Sequence, residues 1–222
     1  MACRIERETW QTLSQAYAFF GNSLLKPMTQ TATVGLDPAF WEESPTFESP
    51  EASRAAAACA DCARRVLSNA SDAGEDPAVR CSVEFTRLFV GPPRPAAAPW
   101  ETMHRQSAGE SRAGFGAATF EMRALLRDAG LVLSNENHQY EDHLGIELLY
   151  LSELCRRLAE NAEASHEDEE AVCSFVEGHP LAWVESLHEG VRAAAPDGYF
   201  DCLLALCRAV LAWHAETVRS RS

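Results

Sequence analysis

Lysine is almost missing from this 222-residue chain: of its 19 basic residues, Lys26 alone is a lysine. Beside abundant alanine and arginine, that bias reflects genomic base composition and carries no function. Positive charge is scarce as well. The 33 acidic residues leave a formal net charge of −14. That sign repels phosphate backbones and anionic lipid heads, so nucleic acid and membrane surfaces are not expected partners. A basic partner fits it better.

Long apolar runs are also lacking. No stretch approaches the roughly 18 apolar residues that a membrane span needs, so no stable membrane insertion is expected. The N-terminus, Met1-Ala2-Cys3-Arg4-Ile5-Glu6-Arg7-Glu8, carries acids and no apolar segment of the signal-peptide kind. Arg64-Arg65 and Arg156-Arg157 lie inside helical patterns and do not read as export signals. The expected compartment is therefore the cytoplasm, where the eight cysteines stay reduced. Cys59-Ala60-Asp61-Cys62 has the spacing of a zinc half-site, but no second pair with that spacing exists and a structural zinc needs four ligands. Catalytic signatures are missing too: no Gly-rich phosphate loop, no Gly-x-Gly-x-x-Gly turn after a strand and no Gly-x-Ser-x-Gly elbow. Neither catalysis nor a cofactor is expected.

What the chain has is helical periodicity. Trp10, Leu13, Tyr17, Phe20 and Leu24 recur at steps of three and four, and Lys26-Pro27 ends that stripe. A proline-containing region at about 27–50 holds Trp41 and Phe47 and predicts a short helix within loops. An alanine-rich helix is expected from Pro50 to Asn69, closed by Ser71-Asp72-Ala73-Gly74, and another from about Pro77 to Phe89. Loops follow at about 90–99, where proline forbids helix, and at 107–114. Phe115, Ala118, Met122, Leu125 and Ala129 make the next stripe. A long helix starting near Glu141 carries Leu144, Leu148, Leu151, Cys155 and Leu158. Helices over about 166–177 and from Pro180 to Ala195 come next, and the last carries Tyr199, Leu203, Leu206, Val210 and Trp213. Alternation with period two never lasts long enough for a strand. The expectation is an all-α, single-domain helical bundle over residues 1–222.

Two segments stand out. Leu88-Phe89-Val90-Gly91-Pro92-Pro93 ends a helix and leads through a stiff proline loop to Pro99-Trp100-Glu101-Thr102. Such a loop walls a groove at little entropic cost, or simply connects helices with Trp100 in the core. Tyr140-Glu141-Asp142-His143-Leu144-Gly145-Ile146-Glu147 opens the long helix. Acids there complement the helix dipole and cap free amides. Adjacent Asp142 and His143 could equally form a hydrogen-bonded pair or offer groups to a peptide. His143 and Glu147, four apart on one face, make two ligands of a metal site, too few to name a metal.

Together these segments resemble the TorD/DmsD family of redox-enzyme maturation chaperones. The shared order is a helix ending in Leu88, Phe89, Gly91 and Pro92, then Pro99, Trp100 and Glu101, then Asp142 and His143 with Glu147 and Leu151 beyond. Phe175, His179 and Trp183 look like the family's Phe-x-x-x-His-x-x-x-Trp spacing. The resemblance spans about Leu13 to Trp213. Ala98 stands before Pro99 where the family often has a second proline, and Thr102-Met103-His104 replaces its common Ser-Val-Tyr; these departures leave the client open.

The resemblance implies a cytoplasmic chaperone, not an enzyme, that holds the apo form of a molybdopterin-dependent reductase by its twin-arginine signal peptide until the cofactor is in. Such a protein acts as a monomer or homodimer. The peptide site it implies is Leu88, Phe89, Gly91, Pro99, Trp100, Glu101, Tyr140, Glu141, Asp142 and His143, with acids facing guanidinium groups and Leu88, Phe89 and Trp100 covering an apolar segment. The other readings are a nitrate-reductase-type assembly factor that contacts regions beyond a signal peptide, and a metal-dependent helical enzyme on the same bundle.

Overall fold

The computed structural model describes residues 5–105, 115–133 and 139–220, and the loop expected at 107–114 lies outside them. Among the described residues the secondary structure is helical, and the one β-type pairing is an isolated antiparallel bridge between Trp100 and His143. The all-α expectation holds.

Local chemistry sets most of the boundaries. Helix α1 (Arg7–Leu25) buries Trp10, Leu13, Tyr17, Phe20 and Leu24, the stripe read from the sequence. Two 3₁₀ turns and the short α2 (Pro38–Glu42) fill the next region, with the Asp37 carboxylate accepting the Ala39 amide at 3.0 Å. Helix α3 (Pro50–Ala73) starts at the Ser49 cap with proline in its first turn and stops at Gly74, whose φ of +66° suits a residue without Cβ. Asp76 and Pro77 start α4 (Pro77–Phe85) in the same way. Helices α7 (His166–Gly178), which opens with a Ser165/Asp168 capping box, and α8 (Pro180–Ala194) meet at His179.

Helix α9 (Tyr199–Arg219) packs against α3, α8, α7, α4 and α1. The small side chains Ala52, Ala55, Ala56, Ala60 and Ala63 allow α3 to lie close against it. The most extensive helix pair is α1 with α6 (Leu144–Glu160). Their backbones nearly touch: a Cβ on Gly21 would lie 2.8 Å from the Gly145 carbonyl oxygen, and one on Gly145 equally close to that of Gly21. One cluster of buried side chains runs from Ile5 to Val218.

Three sequence expectations need correction. The helix expected up to Phe89 is α-helical only to Phe85; a wider π turn (Thr86–Val90) follows, closed by the Gly91 amide donating to the Thr86 carbonyl at 2.8 Å. Helix α5 (Ala117–Asp128) buries Thr119, Met122 and Leu126, while Phe115 of the expected stripe is exposed. Met122, Leu125 and Ala129 of that stripe do pack on the core, and Thr119 beside them donates its hydroxyl to buried Asp142 at 2.9 Å. Finally, α6 begins at Leu144, so Glu141 and Asp142 precede the helix and His143 is its cap.

Candidate functional site

Residues 99–101 run antiparallel to residues 142–144. The Leu144 amide donates to the Pro99 carbonyl and the Glu101 amide to the Asp142 carbonyl, each at 2.9 Å. This backbone clip ties the end of the proline loop to the start of α6, and side chains lock it. Fully buried Asp142 accepts the Thr102 amide on one oxygen and the Thr119 hydroxyl on the other, each at 2.9 Å. His143 accepts the Gly145 amide on Nδ1 at 2.9 Å, which puts its proton on Nε2. Burial pushes this imidazole down to about 3, so it stays neutral at ordinary pH.

Behind the clip lies a second buried polar group. Glu101 accepts from His179 Nδ1 at 2.9 Å and pairs with the Arg105 guanidinium, which also reaches the Gly178 carbonyl at 2.6 Å. Glu147 accepts the Trp183 indole N–H at 3.1 Å, and its other oxygen has no partner among the described residues. Burial, with Glu101 alongside, raises the Glu147 carboxyl well above the usual range. Burial pushes Glu101 upward too, but its bonds from His179 and Arg105 outweigh that and hold it below. The neutral form of Glu147 is the one that burial and the neighbouring Glu101 favour. Ligand atoms of Glu101, Glu147 and His179 lie within 4.8 Å of one another, a set with the donors for a divalent metal. Arg105 already pairs with Glu101, and His143 takes no part in the group. A cavity of about 130 Å³ beside it is lined by Glu101, Thr102, Arg105, Ala117, Ala118 and Glu121.

Outside the clip is an aromatic surface. Trp100 meets Tyr140 edge-on at 6.4 Å, Tyr140 meets Phe115 at 5.6 Å, and Phe115 meets Phe120 at 4.8 Å. Glu141 lies at its edge and accepts from Arg123 Nε and one terminal nitrogen, at 2.7 and 3.1 Å. That pairing holds the Glu141 carboxyl below its ordinary range, against a smaller upward push from burial.

The ten residues implied as a peptide site therefore divide in two. Leu88, Phe89, Gly91, Pro99, Glu101, Asp142 and His143 are buried. Leu88 and Phe89 face the core, with Phe89 against Phe85 and Phe200, and in this conformation they present no surface to a ligand. Trp100, Tyr140 and Glu141 remain reachable. The structure brings Pro99, Trp100, Glu101, Tyr140, Glu141, Asp142 and His143 together, while Leu88, Phe89 and Gly91 stand at the start of the proline loop, which folds back so that the Ala97 amide donates to the Leu88 carbonyl at 2.9 Å. Reasoning on sequence missed Arg105, Phe115, Thr119, Phe120 and Arg123. Only Thr119, a polar residue within an apolar stretch, left a signal that could have been read.

Residues 49–189 match the family described as "Nitrate reductase delta subunit". The chain belongs to that family. A relative, "Chaperone protein TorD" of Photobacterium profundum, is 24% identical over 142 residues, which cover 60% of this chain and 63% of that protein. The alignment thus spans less than two thirds of the relative's length. Both matches bear out the TorD/DmsD resemblance. The delta-subunit match takes in α3 through most of α8, and with them the clip, the Glu101–Glu147–His179 group and the aromatic surface.

Proposed function

We propose that this delta-subunit-family protein is a cytoplasmic assembly chaperone for a molybdopterin-dependent reductase, which it holds as apoprotein by a twin-arginine signal peptide. No bond is made or broken. The observation that carries the reading is the surface of Trp100, Tyr140 and Glu141, where a carboxylate stands beside the half-buried Trp100 and the exposed ring of Tyr140. A peptide with arginines followed by an apolar stretch needs both components, ion pairing for the first and ring surface for the second. The net charge of −14 favours the encounter. The buried clip acts as scaffold: Asp142 and His143 fix where Trp100 and Glu141 stand. Binding at about 1 μM requires roughly 8 kcal/mol, within reach of a few anchors of this kind.

The delta-subunit family match also favours a second reading, an assembly factor that grips the reductase outside its leader. Co-expression of the protein with the reductase subunit, with and without the leader, separates them. Co-purification only of the leader-bearing form supports the first reading, and equal recovery of both supports the second. Recovery of neither rejects both.

A further inference from the structure

Arg123, on α5, occupies a site with the shape of an arginine receptor. Its guanidinium meets Glu141 through Nε and one terminal nitrogen, the two-armed geometry that carboxylates reserve for arginine. The same group lies 5.8 Å from the ring centres of both Phe115 and Phe120, within cation–π range. Tyr140 closes the aromatic row behind Phe115. These rings are open to solvent: Phe115 is 41% exposed, Phe120 55% and Tyr140 41%. Glu141, by contrast, has only 18% of its side chain exposed, while Arg123 has 51%. The acceptor is set into the surface and the donor is the more exposed partner. Exposed ion pairs of this kind contribute little to folding, so displacing the resident arginine costs little.

We propose that Glu141 with Phe115, Phe120 and Tyr140 forms a subsite for one arginine side chain of a bound peptide, and that Arg123 is the internal placeholder such an arginine displaces. This rests on the reading of the protein as a receptor for an arginine-bearing leader, and it assigns one guanidinium of that leader to a defined place. Lysine is a poor substitute, because an ammonium cannot span both carboxylate oxygens while keeping a delocalised cation within reach of the two rings. The placeholder keeps Glu141 and the rings ordered between clients and weakens binding of peptides that offer no arginine to exchange for it.

The test uses the full chain and two synthetic peptides, one with adjacent arginines ahead of an apolar segment and one with lysines in their place. With the competing guanidinium gone, Arg123→Ala is expected to bind the arginine peptide about two- to fivefold more tightly than wild type, the range set by exposed ion pairs. The lysine peptide should gain less. Glu141→Gln should weaken arginine-peptide binding, and Arg123→Ala with Glu141→Gln should lose the gain. Helical content and melting temperature, unchanged in each variant, exclude misfolding. If the wild type binds the peptide but Arg123→Ala leaves affinity unchanged or lower, the subsite is wrong while the chaperone reading stands. A gain that persists in the double variant overturns it too, since bared ring surface would then explain it. If no variant binds either peptide, the leader-binding reading falls and takes the subsite with it.

Discussion

Asp142 shows how one buried side chain ties separate segments together. It is fully buried, and its two oxygens are spent on the Thr102 amide and the Thr119 hydroxyl. Asp142→Ala leaves both donors unsatisfied and should cost about 2–5 kcal/mol, seen as a lower midpoint in urea unfolding. Asp142→Asn keeps the acceptor for one of them and should lose less. Glu147 makes a contrasting case. Its raised carboxyl favours folding fully below the unfolded value and loses that contribution as pH rises past it. Glu147→Gln retains an oxygen for Trp183 and supplies an N–H toward Glu101, so its melting temperature should match or exceed wild type at pH 8. A large loss there would instead mean that Glu147 is held ionised. His143 and His214 act at the other end of the scale, since burial takes each down to about 3 from 6.5. A depressed imidazole costs stability as pH falls through the unfolded value toward the folded one. Stability should therefore decline from about pH 6.5 downward, by up to about 1.4 kcal/mol per pH unit for each histidine. A melting temperature that is flat between pH 6.5 and 5 would contradict this.

At the level of helices, the crossing of α1 and α6 decides where the clip stands. Gly21 and Gly145 let two backbones approach until a Cβ on either would sit 2.8 Å from the other's carbonyl oxygen. Gly21→Ala must push α6 away, and should destabilise the fold by about 1–3 kcal/mol in denaturant titration. Nothing in the period of the α1 stripe announces that contact, since small residues leave no apolar signal. Helices with strong local instructions were legible: α1 from its stripe, α3 from its alanine run and closing glycine, and the start of α4 from the proline in its first turn. Those set by tertiary partners were not. The burial of Thr119 goes with its bond to a residue 23 positions away, and the π turn after α4 carries Leu88 and Phe89 into the core. The site was legible as motifs rather than as surfaces. Leu88, Phe89, Asp142 and His143 were marked as a set, but burial, which divides scaffold from reachable rings, depends on the assembled bundle.

For the molecule as a whole, charge and shape point to the same kind of partner. A chain with net charge −14 presents a row of aromatic rings ending at an acid already paired to an arginine. No described helix is long and apolar enough to cross a membrane. An association resting on charge should weaken as salt is raised, and its rate of formation more than its rate of dissociation should carry the change. Stopped-flow binding between about 0.05 and 0.5 M salt checks this, with an unchanged association rate as the contrary outcome.

The most direct measurement is a calorimetric titration of the full chain with the twin-arginine leader of the proposed client reductase, repeated with both arginines changed to alanine. The proposed surface requires the parent peptide to bind and the alanine peptide to bind at least about tenfold more weakly, a difference of about 1.4 kcal/mol. Equal affinity for the two peptides, or none for either, would contradict it.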